Sequence, residues 1–79
     1  MKINYERIEN IFRNIFDDND FKITDDITPD TYEQWDSIHT VFIMIELEKE
    51  FNTTFSTQEV ADFTSIGKII GIIQNKLDN

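Results

Sequence analysis

Wherever this 79-residue chain is regular, its apolar residues recur at helical spacing. Ile8, Ile11, Phe12, Ile15 and Phe16 fall at i, i+3, i+4, i+7 and i+8, one stripe of an amphipathic helix over residues 4–16. Ile66, Ile69, Ile70, Ile73 and Leu77 make a similar stripe over residues 65–77. Strand-like alternation is almost absent, and one proline (Pro29) and two glycines (Gly67, Gly71) interrupt the chain. The pattern predicts an all-α domain, and a chain this short has room for one core. With no cysteine, neither disulfides nor cysteine-held zinc can support that core, so its isoleucines and seven phenylalanines must.

Between the stripes the period breaks. Acidic residues oppose the dipole at a helix C-terminus, so Asp17-Asp18-Asn19-Asp20 ends the first helix. Residues 17–36 then read as a long loop with turn signals around Thr24-Asp25-Asp26 and Thr28-Pro29-Asp30. A loop of this length needs anchors in a small domain, and Phe21, Ile23, Ile27, Tyr32 and Trp35 are spaced to supply them. A second helix is predicted over 37–51, closed by Asn52. Ser56-Thr57-Gln58-Glu59 spells a capping box that opens a short third helix to about residue 63, and Ser65 or Thr64 caps the fourth. The spacing of Gly67 and Gly71, one turn apart, points to close approach of another helix. The expected architecture is a small four-helix bundle of three longer helices and one short one, with a long first loop.

The second helix has two greasy sides. At about 100° per residue, Thr40, Ile43, Met44, Leu47 and Phe51 form a core stripe, while Ile38, Val41, Phe42 and Ile45 gather opposite. A domain this small cannot cover both. The second stripe, flanked by Glu46, Glu48 and Glu50, is therefore expected to be an exposed partner-docking patch with an acidic rim. The competing expectation is that the long loop folds back over Phe42 and Ile45.

Sixteen acids against seven bases give a net charge of −9. That field repels nucleic-acid backbones and anionic membranes and favours basic patches on proteins. No run is long enough to span a bilayer, and Met1 to Glu6 has no apolar signal core, so a cytoplasmic monomer is expected. Catalytic equipment is sparse. Ser37 stands where the second helix begins, a favoured N-cap position. His39, the one histidine, would point about 200° away from it, a surface position, and no oxyanion motif accompanies the serine. One histidine, no cysteine and an acidic loop without calcium-hand spacing leave metal binding unsupported. A serine at a helix start with no base beside it suits modification by another enzyme, since helix N-termini favour an attached phosphate.

At these residues the chain resembles the acyl carrier proteins. The family's Asp-Ser-Leu attachment motif at the start of helix II is matched by Asp36-Ser37-Ile38. Its following run into Leu-Glu-Glu-Glu-Phe is matched by Val41 to Phe51, ending Leu47-Glu48-Lys49-Glu50-Phe51. Glu59 to Ile66 is similar to the third helix and the start of the fourth, and Ile27-Thr28-Pro29-Asp30-Thr31 to the loop before the serine. The resemblance covers nearly the whole chain. It implies that Ser37 carries 4′-phosphopantetheine delivered from coenzyme A by a phosphopantetheinyl transferase, with Asp36 and Ile38 flanking the site and touching that enzyme. It implies no catalysis by the chain itself, only thioester cargo, acyl or aminoacyl, shown to loading and biosynthetic enzymes. These would dock on Ile38, Val41, Phe42, Ile45, Glu46 and Glu48.

The departures point to a particular kind of carrier. Carriers of primary fatty acid synthesis have a Gly before the motif and Asp-Thr-Val-Glu after it, whereas here Gln34-Trp35 precede and His39-Thr40-Val41-Phe42 follow. The Trp-Asp-Ser pattern is similar to stand-alone carriers of polyketide, surface-glycan or aminoacyl-transfer pathways. A specialised carrier is expected; a fatty-acid carrier, an unmodified acidic adaptor and a small hydrolase are the alternatives.

Overall fold

Each of the four helices begins where a side chain satisfies its free N–H groups, and the first two end where the chain turns left-handed. The computed structural model describes residues 3–78, and among these there is no strand. Helix α1 (Tyr5–Phe16) starts at Asn4, whose Oδ1 accepts from the N–H groups of Glu6 and Arg7 at 3.0 and 3.3 Å. It ends at Asp17, in the left-handed region at φ 51°. Bonds from Asp17 N–H to the Asn14 carbonyl and from Asp18 N–H to the Arg13 carbonyl complete a Schellman closure. Helix α2 (Ser37–Phe51) ends the same way on Asn52, at φ 50°. Short polar side chains tolerate this conformation better than most, so the acidic cluster ends α1 by backbone geometry as well as by charge.

Helix α3 (Thr57–Ala61) carries the reciprocal capping box: Ser56 Oγ accepts from Glu59 N–H, and Glu59 Oε1 accepts from Ser56 N–H. It closes at Ala61, earlier than the sequence pattern indicates. Phe63 N–H bonds to the Val60 carbonyl at i−3, a tighter turn that swings the Phe63 ring into the core. Helix α4 (Ile66–Asp78) follows, with Ser65 Oγ accepting from Lys68 N–H at 3.1 Å.

The core is the meeting of the expected stripes. Ile8, Phe12 and Phe16 of α1, Ile43 and Leu47 of α2, and Ile66, Ile69, Ile70 and Ile73 of α4 are buried together with Phe21, Trp35 and Phe63. The ion pair Arg7–Glu50 ties α1 to α2 across the surface. Among the described residues no buried side-chain polar atom lacks a partner, and no helix is long and apolar enough to cross a membrane.

The long first loop is bonded down along most of its length. Arg13 Nε donates to the Phe21 carbonyl at 2.7 Å, and Ile23 N–H donates to Glu9 Oε2 at 2.8 Å. Tyr32 donates its hydroxyl to Asp18 Oδ2 at 2.6 Å, and its ring packs 4.7 Å from that of Phe16. At the far side, the Ile66 and Gly67 N–H groups donate to the carbonyls of Ile27 and Asp25, both at 2.9 Å. The first turn of α4 thus finds its acceptors in the loop. A Cβ at Gly67 would meet the Asp25 carbonyl oxygen at 3.0 Å, while one at Gly71 meets nothing within 4 Å. This corrects the expectation of a helix–helix approach. Gly67 admits loop backbone, and Gly71 faces open space.

Candidate functional site at the start of the second helix

The start of α2 is held in place by two residues that precede Ser37. Trp35 is buried, and its Nε1 donates to Thr40 Oγ1 at 2.8 Å; that hydroxyl in turn donates to the Asp36 carbonyl at 3.1 Å. Asp36 is the N-cap: its Oδ1 accepts from His39 N–H at 2.9 Å. Ser37 is the first residue inside the helix, and the expectation that it caps α2 is corrected. Asp36 wins because it holds the extended backbone a cap requires, φ −112° and ψ −173°. With capping done by its neighbour, Ser37 is exposed, and among the described residues no protein group hydrogen-bonds its hydroxyl.

His39 is more than a surface histidine. Its Nδ1 donates to the same Asp36 oxygen at 2.7 Å, and its ring packs on Phe16 with centroids 5.3 Å apart. The other side of the imidazole meets Phe42 edge-on at 6.0 Å. These two hydrogen bonds from His39, backbone first and imidazole second, hold the Asp36 carboxyl below its ordinary value. No hydrogen bond joins His39 to Ser37 among the described residues, so the imidazole is committed to Asp36.

Along α2 the second stripe is open. Ile38 is 63% exposed, Phe42 48%, Val41 46% and Ile45 38%, while Ile43 and Leu47 opposite are fully buried. The loop does not fold back over Phe42 and Ile45. The rim is thinner in acid than the sequence suggests. Glu48 is turned to the loop after α2, where its Oε2 accepts from Phe55 N–H at 2.9 Å, and Glu50 is paired with Arg7. Glu46 remains, loosely paired with Lys49 at 3.7 Å. Glu48 is therefore a brace for the α2–α3 connection.

Two grooves flank the stripe. One, of about 380 Å³, lies between α2 and α3 and is lined by Met44, Phe55, Thr57, Val60 and Ala61. Part of it was legible: Phe55 before the capping box and Val60 after it are at the spacing of a hydrophobic staple. The other, of about 340 Å³, lies between α1 and α2 and is lined by Ile11, Asn14, Ile15, Phe42 and Glu46. No sequence pattern announces it, because its two walls are far apart in the chain.

With this geometry in view, the comparison with solved structures is decisive for architecture. The chain superposes on the solution structure of a holo acyl carrier protein from Geobacter metallireducens with a TM-score of 0.84. The match covers 92% of this chain and 84% of the other, at 23% sequence identity.

The fold is that of an acyl carrier protein.

No family model and no curated protein matches the sequence. At this identity the likeness speaks for the acyl-carrier fold, and the chemistry has to be argued from the site.

Proposed function

We propose that this protein is a carrier. Ser37 receives 4′-phosphopantetheine from coenzyme A, and the arm's terminal thiol holds an acyl or aminoacyl group as a thioester for enzymes that dock on α2. The observation that carries this reading is Ser37 itself: an exposed hydroxyl with no hydrogen-bond partner among the described residues, at the first position of a 15-residue helix on an acyl-carrier fold.

The residues present fit such a group. Asp36 performs the capping, so the Ser37 oxygen can be esterified without loss of a structural hydrogen bond. An anionic phosphodiester there meets the positive end of the α2 dipole. In the transfer the Ser37 oxygen bonds to phosphorus and gives up its proton, while the adenosine 3′,5′-bisphosphate part of coenzyme A departs. The arm supplies the thiol that a chain without cysteine lacks. Held on a flexible tether, cargo reaches each docked active site at high effective concentration.

Docking on Ile38, Val41, Phe42, Ile45 and Glu46 is supported by their joint exposure along one side of α2. Asp36 and Ile38 border the serine, where a phosphopantetheinyl transferase must reach. His39 and Phe42 stand where fatty-acid carriers have acidic residues, and this supports a specialised biosynthetic pathway over primary fatty acid synthesis. The test is the intact mass after incubation with coenzyme A and a broad-specificity transferase. Wild type should gain one phosphopantetheine and Ser37→Ala none. An unchanged mass would leave an unmodified adaptor in its place, and an arm mapped to Ser56 or Ser65 would overturn Ser37 as the site.

A further inference from the structure

We infer that the groove between α1 and α2 is an anchor pocket for a basic protein partner, which inserts one aliphatic side chain between Ile11, Ile15 and Phe42 and sets a lysine or arginine against Glu46. This extends the docking half of the proposed function to an element and a chemistry, and it does not depend on the arm.

The walls are pre-organised. Phe42 is met edge-on by His39, which is fixed to Asp36 and packed on Phe16 of the core. Ile11 and Ile15 lean on the same core from α1. The groove is apolar on the side of Ile11, Ile15 and Phe42 and polar at Asn14 and Glu46, and walls already packed in place need less ordering when a side chain enters. At about 340 Å³ it lies at the small end of ligand-sized pockets, which suits a single anchoring side chain. The slot runs into the exposed stripe of Ile38, Val41 and Ile45, so an anchored partner would cover all of it.

Charge selects the occupant. Glu46 lies on the rim, loosely paired with the exposed Lys49 at 3.7 Å, and the chain carries −9 overall. A second copy would bring another −9 against this face, and anionic lipid or nucleic acid would be repelled in the same way. A cationic protein segment gains from the field, in rate of encounter above all.

The test uses the Ser37→Ala chain, which no arm can occupy, so failure of the carrier reading cannot be mistaken for failure here. The probe is a synthetic amphipathic peptide of about four helical turns with a leucine one turn before a lysine, titrated into the isotope-labelled chain by NMR. Shifts should concentrate at Asn14, Ile15, Phe42 and Glu46. Affinity should fall on the order of tenfold or more with Phe42→Ala, as for loss of an aromatic anchor, and less with Glu46→Gln, which cannot disturb the core. Replacing the peptide leucine by asparagine should abolish the localised shifts. Shifts spread over the acidic surface, shifts centred on Met44, Phe55 and Val60, or affinity unchanged by both substitutions would overturn the proposal. So would a concentration-dependent dimer of the chain alone that Phe42→Ala dissolves.

Discussion

Asp36 accepts two hydrogen bonds from His39 on a single carboxylate oxygen, one from the backbone N–H at 2.9 Å and one from imidazole Nδ1 at 2.7 Å. The pair fixes the first turn of α2 and leaves Ser37 beside it unencumbered. Its dependence on charge can be tested with acid. The folded state holds the Asp36 carboxyl below its ordinary 3.8, so its contribution is complete above that value and is lost as pH falls through the lower folded value. Asp18, held down by the Tyr32 hydroxyl first, and Glu59, held down by the Ser56 N–H first, act in the same sense. Asn is as good a cap as Asp but does not titrate. Thermal melts should show wild type more stable than Asp36→Asn at pH 6, with the gap closing below pH 3.8. A gap that stays constant down to pH 2 would show that the charge contributes nothing.

Tyr32 supplies the opposite sign at the alkaline end. Partial burial, followed by the hydrogen bond to Asp18, pushes its phenol from 10.0 up to about 12. The folded state therefore keeps this proton longer than the unfolded chain does. The stability it adds is intact below pH 10.0 and drains away as pH rises through about 12. A phenolate absorbance titration should show a late phase that vanishes in Tyr32→Phe. Asp18→Asn should move that phase only part of the way down, because burial raises the phenol independently of Asp18.

The helical stripes were legible because a period of 3.6 turns sequence directly into faces, and the core of Ile8, Phe12, Leu47, Ile69 and Ile73 follows from it. The outer stripe was legible for a converse reason: a chain this small has nothing left to cover it. What escaped depends on choices between neighbours or on partners distant in sequence. Asp36 and Ser37 are both good caps, and only the backbone angles at Asp36 decide between them. Glu48 shares the helix with Glu46, yet the N–H of Phe55 draws it toward the loop. The commitment of His39 to Asp36 follows from the capping choice and was hidden with it. Gly67 looked like half of a helix-packing pair because its true neighbour, the Asp25 carbonyl, lies in a loop without pattern.

The two glycines of α4 should respond in opposite directions to alanine. Gly71 has open space around its missing Cβ, so Gly71→Ala should stabilise by about 0.5–1 kcal/mol through helix propensity alone. At Gly67 the new methyl meets Asp25 O at 3.0 Å and Asp25 Cβ at 3.2 Å. Relieving this contact strains the 2.9 Å bond from Gly67 N–H to the same oxygen. Gly67→Ala should therefore lose more than its propensity gain and come out less stable than wild type in urea. Equal stabilisation at both sites would show that the loop yields freely.

The faces of α2 can be separated by truncating one side chain on each. Leu47 is fully buried in the core, and Leu47→Ala should cost about 2–5 kcal/mol through lost transfer energy and the cavity left behind. Val41 is 46% exposed on the opposite side, and Val41→Ala should change stability by no more than about 0.5 kcal/mol. Phe42→Glu extends the contrast to charge. The carboxylate would stand in water next to Glu46, so the domain should stay folded with helical circular dichroism close to wild type. A buried Phe42 would instead trap an unpaired charge and unfold it. Equal losses for Leu47→Ala and Val41→Ala, together with an unfolded Phe42→Glu, would mean that the outer stripe is covered in solution and unavailable to a partner. The expected result, a large loss on one face and almost none on the other, leaves Val41 and Phe42 free to act on binding alone.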